Sequence, residues 1–302
     1  MPLTHTRLFR VRYYECDLSG YMHHANYLRY MQEAAFDASS AAGYAHEVYD
    51  AMGRIWLARQ TEIEHLRPLH YGDAVRITTW VADWRRVRSR RAYEFRLAGS
   101  GEPVARAFTD WVFLESASGR PASIPIEMMA AFVPEGRLEP ARPRARFPAV
   151  PPPRSGTFHM RRQVGWPDID QAKHVNNAVY LEYLEDCEIH AFAALGWPPS
   201  RMAQASFVFR AERRLIDYLQ PALLHEELEL STWISDLDHS GAVRHHTITR
   251  VGDGELLVPA RSHMWPYQLG SDQPIPIPGE FLRDLSRNFA SRSTPREKTD
   301  GA

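Results

Sequence analysis

The 302-residue chain is 44% hydrophobic and 24% charged, enough to bury a sizeable core, and its length suits about two domains. Lysine plus arginine (36) nearly balances aspartate plus glutamate (37), so no net field draws the chain to nucleic acid or to an anionic membrane. Residues 1–9 lack the apolar stretch of a signal peptide, no apolar run is long enough to cross a bilayer, and Cys16 and Cys187 are too few for a disulfide framework; a cytoplasmic protein with reduced thiols is expected.

In chain order, Leu8 to Tyr14 alternates polar and apolar and predicts a strand. A helix is predicted over Asn26 to Ala42, where Tyr27, Tyr30, Met31, Ala34, Ala35 and Ala38 fall at helical spacing and Gly43 stands where a glycine would end it. Strands follow over Ile55 to Leu66, Ala74 to Ala82, Arg90 to Leu97 and Val104 to Glu115, with Gly99-Ser100-Gly101 as a hairpin turn. Pro134 to Gly156, with Pro140, Pro143, Pro148 and the run Pro151-Pro152-Pro153, reads as a semi-rigid linker. The series then restarts. Arg161 to Trp166 is the second first strand, Val179 to Leu195 the second helix with Gly196 at its end, and Gly252-Asp253-Gly254 the second hairpin turn. From about Ser291 to Ala302 the chain is polar without period, and a frayed tail is expected.

The restart is a duplication at a constant offset of 153 residues, carried by Val11/Val164, Asp17/Asp170, Tyr27/Tyr180, Tyr30/Tyr183, Gly43/Gly196, Pro68/Pro221, Trp80/Trp233, Arg91/Arg244 and Pro125/Pro278 among others. Turns, helix ends and strand aromatics stay in step throughout. The expected organisation is two α+β units, residues 1–133 and 157–288, joined by the linker 134–156 and followed by the tail 289–302. Side by side, the two units would cover each other's sheet edges in one intramolecular pseudodimer.

The segment between the first strand and the helix carries the chemistry. In the first unit it runs from Tyr14 through Cys16-Asp17, Gly20-Tyr21-Met22-His23-His24 and Asn26-Tyr27; in the second from Asp168 through Asp170, His174-Val175-Asn176-Asn177 and Tyr180. A helix N-terminus offers unpaired N–H donors and the positive end of its dipole, which can hold the oxygen of a polarised carbonyl. A carboxylate beside it can activate water or attack the carbonyl carbon. Asp and Asn before a helix are also ordinary caps, and a duplicated cap would recur too, so spacing within the motif has to decide.

Asp17-x-x-Gly20-x-x-x-His24-x-x-Tyr27 resembles the signature of the 4-hydroxybenzoyl-CoA thioesterase family, and Gln32-Glu33-Ala34-Ala35 with Ala42-Gly43 resembles the N-terminal hotdog of acyl-ACP thioesterases. Asp168-Ile169-Asp170-x-x-x-His174-Val175-Asn176-Asn177-x-x-Tyr180 resembles their C-terminal hotdog. The resemblance covers roughly residues 5 to 285. It implies two tandem hotdog units, each a long helix wrapped by an antiparallel sheet, and hydrolysis of an acyl-CoA or acyl-ACP thioester. It further implies catalytic roles for Asp17, His24, Asp170 and His174, substrate contacts from Gly20, Tyr21, Met22, His23, Asn26, Tyr27, Asn176, Asn177 and Tyr180, no separate cofactor or metal, and a possible homo-oligomer. Two departures stand out. The plant-type enzymes carry an Asn two residues after the catalytic Asp, where this chain has Ala172, and a downstream Glu, where it reads Tyr218-Leu219-Gln220-Pro221. The offset also pairs His24 with Asn177 and His174 with Tyr21, so the first unit, which keeps both Asp17 and His24, is expected to hold the working site.

Of the remaining residues, Cys16 reads as a half-buried strand residue, Cys187 as helix packing, and Glu62, Glu64 and Glu212 as solvated strand faces. The adjacent histidines His23-His24 and His245-His246 point to opposite sides of their elements and offer no metal site. Trp84 to Arg91 is a basic run on a strand hairpin that could meet a phosphate or an acidic carrier protein. A hotdog hydratase or dehydratase would resemble Gly-His-Phe-Pro-Gly or Asn-Pro-x-His patterns, and neither occurs; a non-catalytic acyl-binding protein would have lost its acids, and Asp17 and Asp170 persist. Gly-x-Ser-x-Gly and Gly-x-Gly-x-x-Gly motifs are absent as well, which disfavours a serine hydrolase or a nucleotide site.

Overall fold

The structure, a computed structural model, describes residues 2–134, 147, 156–237, 241–271 and 273–290. In the first half β1 (His5–Arg10) leads through a short 3-10 turn (Tyr13–Glu15) to α1 (His24–Ala41) and α2 (His46–Met52), then to β2 (Arg54–His65), β3 (Ala74–Arg85), β4 (Arg88–Leu97), β5 (Pro103–Glu115) and α3 (Ile126–Phe132). The second half repeats the order with β6 (Phe158–Gln163), a 3-10 turn (Trp166–Asp168), α4 (Asn177–Ala194), α5 (Pro199–Gln204), β7 (Phe207–Asp217), β8 (Glu227–Ser235), β9 (Ala242–Arg250), β10 (Leu256–Gln268) and α6 (Gly279–Ala290).

All ten strands form one antiparallel sheet in the order β1-β3-β4-β5-β2-β7-β10-β9-β8-β6, which reads the same from either edge once the repeat offset is applied. The halves therefore do more than lie side by side. Strands β2 and β7 are hydrogen-bonded from Gln60↔Asp217 to Glu64↔Arg213, and the central pair Glu62↔Leu215 joins two residues that are themselves repeat mates. A pseudo-twofold passes through that pair.

Helices α1 and α4 touch each other and cover the same face of the sheet, α1 over β1 and β3 and α4 over β6 and β8. Their buried residues, among them Tyr27, Leu28, Met31 and Ala35 on α1 and Leu181, Leu184 and Cys187 on α4, join Ile63, Phe95, Ile216 and Ile248 of the sheet in one core across both halves. Each fully buried Leu or Ile in it contributes about 1.5–3 kcal/mol by leaving water. After α1, Gly43 takes φ +86°, a left-handed turn suited to glycine.

Helices α2, α3 and α5, whose six or seven residues are too few to display a period, and the 12-residue α6 are not among the elements predicted from the sequence. They cover the ends of the sheet: α3 brings Met128 and Phe132 against Phe113 and Trp84, and α6 brings Phe281 against Trp197 and Phe207. Strand β1 ends at Arg10 rather than at Tyr14, since the chain must turn to satisfy buried Glu15, whose carboxylate accepts from Arg12 N (2.7 Å) and Tyr30 Oη (2.5 Å). Asp168 acts likewise after β6, which ends at Gln163 short of the expected Trp166, by accepting from Gly165 N at 2.8 Å. Helix α6 takes in the first two residues of the expected tail. The rest of that tail and most of the linker lie outside the described residues. Within the linker, Phe147 is buried against His263 (4.6 Å between rings) and Arg213, on the face of the sheet opposite the helices.

Candidate active site

Each unit places its acidic loop between its first strand and its long helix, pinned by an isolated bridge: Cys16↔Met22 in one, Ile169↔Val175 in the other. In the first loop Asp17 Oδ1 accepts from Ser19 N (2.8 Å) and Tyr21 N (3.1 Å), and Gly20 closes the turn with φ +82°. The second loop copies the turn. Asp170 Oδ1 accepts from Ala172 N at 2.9 Å, and Lys173, the repeat mate of Gly20, adopts φ +65°, a left-handed conformation that costs a non-glycine residue roughly 1 kcal/mol or more.

The two loops differ in what meets them from the opposite half. In the second, Asn176 caps α4 by accepting from Ala178 N (2.9 Å), and its Nδ2 donates both to Asp170 Oδ2 (2.9 Å) and to Gln32 Oε1 on α1 (3.0 Å). Both carboxylate oxygens of Asp170 are thus held, and Asn176 supplies a side-chain amide that Ala172 cannot. The next residue, Asn177, begins α4 with a backbone N–H that has no partner among the described residues. A cavity of about 450 Å³ opens here, lined by Asp170, Asn176 and Val179 from one half and by Phe9, Tyr30 and Gln32 from the other, with Arg7, Arg12 and Arg29 around it.

In the first, His23 is exposed at the start of α1 and makes no capping bond, while His24 Nδ1 meets Glu185 Oε1 of α4 at 2.5 Å. Glu185 continues to Arg214 (3.6 Å), Arg214 is bidentate on Glu188 (2.9 and 3.2 Å), and Glu188 accepts from His246 Nε2 (3.0 Å). Burial pushes the Glu185 carboxyl up, but His24 and Arg214 outweigh it and leave it below the usual carboxylate range. Glu188, equally buried, is held far below that range by Arg214 and His246. Burial lowers His246 despite its carboxylate partner, so a neutral imidazole donates. The His65 ring lies tilted by 49° against His24, 4.4 Å between centroids, with neither ring nitrogen hydrogen-bonded among the described residues, and burial keeps it well below its ordinary value.

The other expected site residues are placed as follows. Asn26 is buried and donates to Glu15 O (3.1 Å). Tyr27 and Tyr180 stand in the core, where Tyr180 Oη accepts from Ala222 N (2.8 Å) and burial pushes its hydroxyl up to about 12. Tyr21 and Met22 are buried, with Arg210 of the second half 5.4 Å from the Tyr21 ring. His174 Nδ1 lies 3.1 Å from the carbonyl of Val175, and the Asn177 carbonyl accepts from Tyr218 Oη (3.2 Å). Among the described residues no side-chain hydrogen bond joins Asp17 to His24 or Asp170 to His174, and no group of three or more His, Cys, Asp or Glu is spaced to hold a metal ion.

Outside the loops, Cys187 is buried as expected, whereas Glu62 is not a solvated face: it takes Arg213 at 2.6 Å beside the pseudo-twofold. Glu212 accepts from Tyr267 Oη, and only Glu64 of the three is exposed. The basic run is partly spent inside the fold, with Arg91 buried and Arg90 bidentate on Asp110. Gln32 and Glu185 were missed as partners of the loops. The available signal was a polar side chain at the matching positions 32 and 185 of the two long helices.

Relatives share this architecture. The structure resembles a protein provisionally identified as an oleoyl thioesterase from Lactobacillus plantarum, at a TM-score of 0.75 and 20% identity, covering 89% of this chain and 98% of that one. It also resembles the 12:0-ACP thioesterase of Umbellularia californica, at 0.69 and 18%, covering 87% and 94%. By sequence it is 24% identical over 188 residues to a chloroplastic palmitoyl-acyl carrier protein thioesterase of Cuphea hookeriana, a match that takes in 58% of this chain and 45% of that protein. The chain thus spans about half the length of the chloroplastic acyl carrier protein thioesterases it matches. No described helix is long and apolar enough to cross a membrane. With two hotdog units on one sheet and a family model matching residues 11–132 and again 164–285, the chain belongs to the thioesterase-like superfamily.

Proposed function

We propose that the chain hydrolyses an acyl thioester of coenzyme A or of an acyl carrier protein, and that the Asp170 loop is its working site. The observation that carries this reading is a carboxylate with both oxygens anchored, next to a helix start with an unpaired N–H, on a cavity shared by the two halves. The thioester carbonyl oxygen is held by Asn177 N–H at the positive end of α4, where the charge developing on that oxygen is stabilised. Asp170 takes a proton from water as the water attacks the carbonyl carbon, and the thiolate leaves. Arg7, Arg12 and Arg29 line the cavity beside Glu15, Glu33 and Asp168, and each is ion-paired, Arg7 to Glu33 and Asp37, Arg12 to Glu15 and Arg29 to Glu182, so the thioester is selected here by the carboxylate and the helix start rather than by a positive rim. Both thioester classes are soluble, which suits the cytoplasmic setting expected from the sequence, and relatives named as acyl-carrier-protein thioesterases support the same chemistry.

The test is thiol release across panels of acyl-CoA and acyl-ACP thioesters. Asp170→Asn keeps the shape and removes the base, so turnover should fall by about two orders of magnitude or more. Asp17→Asn should reduce it far less. Full activity in the double variant Asp17→Asn, Asp170→Asn would defeat the assignment.

A further inference from the structure

The side-chain amide of Asn176 has two N–H donors and one oxygen, and all three are committed. Its oxygen must accept, because its partner is the N–H of Ala178, so the NH2 end is fixed toward two acceptors: Asp170 Oδ2 at 2.9 Å and Gln32 Oε1 at 3.0 Å. The first acceptor belongs to the same loop as Asn176. The second comes from the middle of α1, in the other half, and stands half-buried in the cavity wall. Swinging the Asn176 amide away from Asp170 would break the bond to Gln32 as well as the cap on α4.

We infer that Gln32 is a positioning residue for Asp170, acting through Asn176, so that the site of one half is completed by a helix of the other. This rests on the reading of Asp170 as the base. Gln32 touches neither substrate nor water in this scheme. It keeps one N–H of Asn176 on Oδ2, which leaves the remaining lone pairs of the carboxylate facing the attacking water. A neutral amide suits the place. A carboxylate there would stand two hydrogen bonds from Asp170 and raise the pH needed to ionise it. The first site lacks this relay: the repeat mate of Asn176 is His23, exposed and uncapping, and the mate of Gln32 is Glu185, which is engaged by His24 and Arg214.

The experiment is steady-state kinetics from pH 4 to 9 on Gln32→Leu, Gln32→Glu and Asp170→Asn, with thermal melts to check folding. Gln32→Leu removes the acceptor, and kcat should fall about ten-fold while KM stays within about two-fold, because orientation rather than binding is lost. Gln32→Glu keeps the acceptor, so kcat at pH 8 should recover to within about three-fold of the parent, while the acid limb of kcat/KM moves up by about one pH unit. Equal impairment of both variants with an unmoved acid limb is what lost packing alone would give, and it would overturn the inference. So would parental kcat and an unmoved acid limb in both variants alongside a dead Asp170→Asn, in which case the Asp170 assignment survives. Full turnover in Asp170→Asn would remove the assignment and the inference together.

Discussion

Replacing Arg214 by methionine should be among the most damaging single changes in the protein. Arg214 is 2% exposed and Glu188 7%, and their bidentate contacts at 2.9 and 3.2 Å neutralise a carboxylate inside the core between α4 and the joining strand β7. Without the guanidinium, Glu188 keeps one neutral donor, His246, and Glu185 keeps only His24. Breaking a buried pair from one side costs about 3–5 kcal/mol, because a charge is left buried without its partner. For a chain of this size that is a fall in melting temperature of roughly 6–15 °C. Glu188→Leu combined with Arg214→Met removes the stranded charge and should recover at least half of the loss. The pH dependence gives a second check. Once unpaired, Glu188 would have its folded pKa raised above its unfolded value, so its protonated form stabilises the fold at low pH and that help is lost as pH rises; the gap between Arg214→Met and the parent should narrow between pH 7 and pH 5. Thermal unfolding followed by circular dichroism at both pH values measures all three effects. A fall of less than about 2 °C, or a double variant no better than the single one, would refute the reasoning.

Buried histidines should make the parent protein sensitive to acid. Burial lowers His65, His245 and His246, His245 to about 4, so the unfolded chain takes up protons near pH 6.5 that the folded chain refuses; stability is fully present above that value and is lost as pH falls. For His245 the loss between pH 7 and pH 5 is about 2 kcal/mol, and denaturant titrations of His245→Gln should show that share of the pH slope gone. Cleavage within 134–156 should leave the halves together on gel filtration, since β2 and β7 are hydrogen-bonded and α1 and α4 share one core; separated fragments would count against this.

The fold was readable because a duplication writes the same punctuation twice. Gly43 and Gly196 mark the two helix ends, and the hairpin glycines Gly101 and Gly254 both take φ +73°. Asp17 and Asp170 could be placed in matching loops from their spacing alone. What the spacing could not show is which side chain of the other half meets each loop, because that depends on the β2–β7 register, and the offset carries no information about the register between repeats. His24 was therefore expected beside Asp17, and the structure turns it onto Glu185. Glu62 was misread for the same reason: a carboxylate on a strand looks solvated until Arg213 of the neighbouring half arrives at 2.6 Å.

The covalent joining of the halves has a genetic consequence. In a dimer of identical chains one codon would set the residue at this helix position in both sites, so any change fitted to one loop would be imposed on the other. Here Gln32 and Glu185 are encoded separately, and one position carries an amide that meets Asn176 while the other carries an acid that meets His24. Selection can therefore act on either loop alone, so the cross-helix contacts of one can change without those of the other.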